Sequence, residues 1–118
     1  MSSHAATHRD HPDPRLRTRY YAAPLERVWE AAREALRETP GFALTAEAPE
    51  AGELRGVHTA RLMRGKDDLV VSILESETGE TELDARVEAR GGLFVFAKSA
   101  GALPLLLGEI DRRLTPST

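Results

Sequence analysis

Few side chains in this sequence have the chemistry of a reaction centre, and their spacing argues against most of them. His58 lies in an alternating run at 53–62. An imidazole there would suit a general base, but the sequence places no serine, aspartate or second histidine to work with it. Asp67 and Asp68 fall in the turn-like stretch MRGKDD and offer oxygens to a hard cation. As neighbours they diverge once a strand begins there. Glu82 and Asp84 share a strand face, as a two-carboxylate site requires. Arg86 and Arg90 occupy the same face, so ordinary ion pairing is the simpler role. His4 and His8 have helical spacing, with His11 nearby, but a metal would need that helix to form and further ligands to arrive. The stretch KSAGAL at 98–103 lacks the spaced glycines and the Lys-Ser/Thr pair of a phosphate loop. With no cysteine, thiolate nucleophiles, disulfides and cysteine-ligated zinc are all ruled out. The residues specify no catalytic, metal or cofactor site, and the expectation is a protein that is not an enzyme.

The elements that must position these groups are easier to read. APLERVWEAAREALRE at 23–38 is one amphipathic helix. Leu25, Val28, Trp29, Ala32 and Leu36 recur at helical spacing and share a face, while the charged residues make the other. Pro24 suits the first helical position, and Thr39-Pro40-Gly41 ends the run. Before it, RLRTRYYA at 15–22 alternates as a half-buried strand. Leu16, Thr18 and Tyr20 lie on one side, and the arginines with Tyr21 on the other. Strands follow at 41–47, 53–62, 69–75 and 81–90, separated by turn chemistry. Gly56, inside the second of these, marks a bulge or a close backbone approach. A last helix runs over 101–114, its start near Pro104, because proline fits only in the first turn. Its apolar stripe is Leu103, Leu106, Leu107, Ile110 and Leu114. Residues 1–14 read as a disordered tail and 115–118 as a frayed end.

That order, with one apolar stripe per helix, predicts a single α+β domain over 15–114. The expected fold is a two-layer β-α-β4-α unit, a curved antiparallel sheet with two helices on one face. The arrangement is similar in architecture to the TATA-binding-protein-like type.

Net charge is −3, with 30% charged residues of both signs interspersed. Such a surface has no general attraction for phosphate backbones, so the arginines before the first helix predict no nucleic acid partner. No apolar run approaches the roughly 20 residues of a membrane span, and the N-terminus has no signal-peptide apolar region. A cytoplasmic protein with no membrane span is expected.

What the sequence does offer is apolar surplus. The strand at 69–75 is apolar on both faces, and helices can cover only one. Val70 and Leu74 on its second face, the segment Leu93, Phe94, Val95 and Phe96, and Leu105 off the main stripe of the last helix form the candidate interface. The leading expectation is a non-catalytic scaffold that forms a homo-oligomer or binds a protein partner. The alternative is a binder of a small apolar ligand, held between the Trp29 helix and the sheet with 93–96 as a lid.

Residues 19–114 resemble the bacterial domain of unknown function 1499 family. The pieces that carry the resemblance are RYYAAPLERVWEAA, then KDDLVV, then LDARVEAR before the last helix. That family usually has an asparagine before its last helix, where Leu103 stands here, and it brings no established chemistry. The segment APLERVWEA also resembles the first strand and helix of the START-like helix-grip family. That resemblance implies a small apolar ligand, although those domains need more strands than this chain supplies after Pro24.

Overall fold

The computed structural model describes residues 4–10, 17–59, 66–89 and 96–114. Its first helix, α1 (Leu25–Glu38), starts slightly later than expected, and Pro24 is its extended cap and not its first helical residue: the Pro24 carbonyl accepts from the amides of Arg27 and Val28 at 3.0 and 3.1 Å. The face that it buries is rotated from the expected one. Val28, Ala31, Ala32, Ala35 and Leu36 are buried, whereas Trp29 is half-buried and Leu25 exposed. Three alanines without bulk let the helix lie close to its neighbours, and the larger side chains at its N-terminal end are displaced to the flank. The close approach shows at Gly56, where a Cβ would stand 2.8 Å from Leu36 Cδ2 and 2.7 Å from the Ala43 carbonyl. The expected close approach at this glycine is therefore real.

The strands are β1 (His4–Ala6), β2 (Arg19–Tyr21), β3 (Phe42–Ala48), β4 (Glu53–Thr59), β5 (Lys66–Glu75) and β6 (Thr81–Ala89). All pair antiparallel, in the order β3-β4-β5-β6, and β1 and β2 share the outer edge of β6. β2 and β3 thus lie at opposite edges of the sheet, and α1 joins one edge to the other. A bulge between Leu44 and Ala46 shifts the register of β3. The last helix, α2 (Phe96–Leu114), packs over β1 and β6, while α1 packs over β3, β4 and β5, and the two helices touch each other. Arg113 ties them, donating to Glu38 at 3.1 Å and to Glu109 at 2.7 Å.

The α+β fold with two helices on one face of an antiparallel sheet is as expected. The shared core shows this, with Leu54, Leu69, Val71, Ile73, Leu83, Ala85 and Val87 of the strands against Leu36, Leu103, Leu106, Leu107 and Ile110 of the helices.

Several local expectations are corrected. His4–Ala6, read as disordered tail, forms β1, because the free edge of β6 at Arg86–Glu88 takes up its backbone groups. β2 is shorter than expected and turned over. Tyr21 packs on the core and Tyr20 faces out. Each face of RLRTRYYA carries a tyrosine, so alternation alone could not set the phase. Asp67 and Asp68 belong to β5 instead of a turn. α2 begins well before Pro104, which lies inside it. A proline there costs about 3 kcal/mol. Burial of Leu103, Leu106, Leu107 and Ile110 offsets this at roughly 1.5–3 kcal/mol each.

Candidate functional site

Inner-face alternation in β4 and β5 brings His58 and Asp67 together. They are direct partners across the antiparallel pair, next to the Thr59–Lys66 pair at the sheet end where β3 begins. Neither run shows this by itself. Asp68 goes to the opposite face, so the two adjacent carboxylates do not converge. Asp67 is 3% exposed. The His58 ring lies 4.6 Å from that of Phe42, tilted by 47°. Burial pushes the His58 pKa down, and the nearby Asp67 charge offsets part of that shift. His58 Nδ1 is buried and finds no hydrogen-bond acceptor or donor among the described residues. The arrangement is an imidazole packed against a tilted aromatic ring, with its Nδ1 closed off from solvent.

A second carboxylate is held in a different way. Asp111 on α2 accepts from the Tyr21 hydroxyl at 2.6 Å and from Arg19 Nε at 3.3 Å, fastening β2 to the helix. Burial first, and the Asp111 hydrogen bond second, raise the Tyr21 pKa far above the ordinary phenol value.

Asp84 on the outer face serves neither as half of a two-carboxylate site nor merely as part of an ion-pair ladder. Its Oδ1 accepts from Thr7 and Thr18 hydroxyls at 2.7 and 2.6 Å, and Thr7 Oγ1 accepts from the Ala85 amide at 2.8 Å. The Thr18 amide donates to the His8 carbonyl at 3.2 Å. Together these bonds close the base of the excursion between β1 and β2. His4 is in a strand, so its helical spacing with His8 is not realised, and His11 lies outside the described residues. Among the described residues no three His, Asp or Glu side chains converge as a metal site would require.

The candidate interface residues divide. Val70 is 1% exposed and buried outside the main core, on the outer face beside a hollow of about 150 Å³ that Ala6, Thr7 and Asp84 also line. Val70, offered as interface, is therefore not on the exposed surface, and Ala6 and Thr7 of the N-terminal segment lie near it. Leu74 is 48% and Leu105 60% exposed. Phe96 opens α2, and Leu93, Phe94 and Val95 lie outside the described residues. Among the described residues, Leu36, Leu54, Leu69, Leu103 and Leu107 occupy the space between helices and sheet, and half-buried Trp29 packs against that core. Trp29 also lines a hollow of about 230 Å³ on the flank of α1, with Leu25, Glu26, Glu30 and Pro49.

A hollow of about 690 Å³ opens on the outer face at the β5–β6 hairpin end. Leu74 and Tyr20 supply its apolar surface, and Glu75, Glu77, Glu80 and Glu82 surround them. Arg9 donates to the Tyr20 hydroxyl from Nε and Nη2 at 3.2 and 3.1 Å, holding the ring at the rim. The sequence singles out neither Tyr20 nor Arg9: Arg9 lies in the stretch expected as tail, and alternation does not say which face of 15–22 looks out.

Among the described residues no helix is long and apolar enough to cross a membrane. No family model and no curated protein matches the chain. Among solved structures the chain is similar to the crystal structure of CalU16 from Micromonospora echinospora. The identity is 13%, the match covers 98% of this chain and 87% of that one, and the TM-score is 0.48.

Proposed function

We propose that this protein is a non-catalytic binding module whose contact surface is the outer sheet face at the β5–β6 hairpin end. One observation carries the reading: two of the four exposed large hydrophobic side chains among the described residues, Tyr20 and Leu74, line the same open hollow. Scattered apolar side chains are ordinary on a surface, whereas apolar side chains gathered in a concavity suit a partner. Photocrosslinking tests the reading. A photoreactive side chain at position 74 should yield adducts, to a second copy or to a partner protein, and one at the exposed α1 position Arg37 should not. Absence of adducts from position 74 in the producing cells would sink the proposal.

A further inference from the structure

We infer that the occupant of the Leu74–Tyr20 hollow is a cationic amphipathic segment of another protein, one in which lysine or arginine alternates with apolar residues. The inference rests on the binding-module reading and adds the chemistry of the partner.

Four glutamates and one arginine line the hollow, and the arginine is engaged with the Tyr20 hydroxyl. The apolar surface gives an occupant its desolvation energy. The carboxylates around it select the sign of its charge. A symmetric pairing of two copies through this patch would set the four glutamates of one copy against the four of its partner, and like-charge juxtaposition disfavours that interface. An anionic or nucleic acid partner meets the same repulsion. A basic, apolar segment meets one like charge, Arg9, against four carboxylates. It can lay alternate side chains on Leu74 and Tyr20 and direct the others to Glu75, Glu77, Glu80 and Glu82. Its lysine or arginine stems add apolar cover while their charged ends reach the carboxylates.

The test titrates the full chain, labelled with nitrogen-15, with two synthetic peptides of equal length, one alternating Lys with Leu and the other Glu with Leu. The Lys/Leu peptide should shift the amide signals of Leu74, Glu75 and Glu82 to saturation, and the Glu/Leu peptide should not. Raising the salt to about 1 M shortens the screening length to about 3 Å and should weaken the Lys/Leu complex at least about tenfold. The double variant Glu77→Gln/Glu82→Gln should weaken it about three- to tenfold, as expected for two exposed charge pairs. Leu74→Ser should weaken it with its salt dependence kept.

Equal binding of both peptides, salt-independent binding, or shifts spread over the whole molecule would overturn the inference. If neither peptide binds and the wild type sediments as a dimer that Leu74→Ser dissociates, the occupant is a second copy: the module stands and the cationic partner falls. If neither binds and the chain is monomeric into the millimolar range, the inference falls, and position-74 crosslinking then decides the module reading separately.

Discussion

Asp67 and Leu74 stand in the same strand, β5, yet the carboxylate is 3% exposed and the leucine 48%. Their environments are the reverse of what their side chains suggest. The pleat decides it. Asp67, Leu69, Val71 and Ile73 share one face because alternate residues must, and that face is the one the helices cover. Leu74 has the other phase and lies at the hairpin end, beyond the cover that closes over Val70. At one end of β5 a buried carboxylate lies beside a half-buried imidazole, and at the other an apolar side chain is left open. The open end is the surface proposed above for a partner.

This contrast can be broken most forcefully at its centre. Leu69→Ala should cost about 2–5 kcal/mol by urea unfolding, because Leu69 is fully enclosed in the core. A loss no larger than that of an exposed site would show that the inner face is not packed as described. Gly56→Ala should cost about 1–3 kcal/mol, since the added Cβ meets the Ala43 carbonyl and Leu36. An unchanged midpoint would mean that α1 can retreat freely. On the outer face, Asp84→Ala removes the acceptor shared by Thr7 and Thr18 and should cost about 1–3 kcal/mol. Faster hydrogen exchange at the Thr7 and Thr18 amides should accompany it, and unaltered exchange would deny the clamp.

The His58–Asp67 end gives a pH signature. Burial holds folded His58 below the ordinary histidine value of 6.5, so the unfolded chain takes up the proton first as pH falls. The stability from this group is therefore complete above that value. It declines as pH drops through the window beneath it and levels off once folded His58 is protonated. Urea midpoints measured between neutral and mildly acidic pH should fall accordingly, and His58→Gln should flatten that part of the profile. Asp67→Asn removes the charge that holds His58 partly up, so the His58 titration, followed by its ring proton shifts, should move lower still. A rise would overturn the assignment of Asp67 as its charged neighbour. The smallest effect belongs to the open end: Leu74→Ala should change stability by no more than about 0.5 kcal/mol. A larger loss would place Leu74 in the fold and remove it from the binding surface.

The sequence by itself determined the order of the elements from β2 onward, the α+β class and most of the core. Period-two runs such as LDARVEA and the spaced leucines of α2 encode burial locally, so Leu83, Ala85, Val87 and Ile110 were legible. It also marked Gly56 as a bulge or a close approach, and the structure shows the close approach. Only the tertiary structure decided which face of β2 looks inward, that Asp67 meets His58, that Asp84 gathers Thr7 and Thr18, and that Val70 is covered while Leu74 is not. Each of these depends on a partner distant in the chain. Strand register and edge pairing are set by the whole sheet, and no local pattern states what will lie opposite a given side chain.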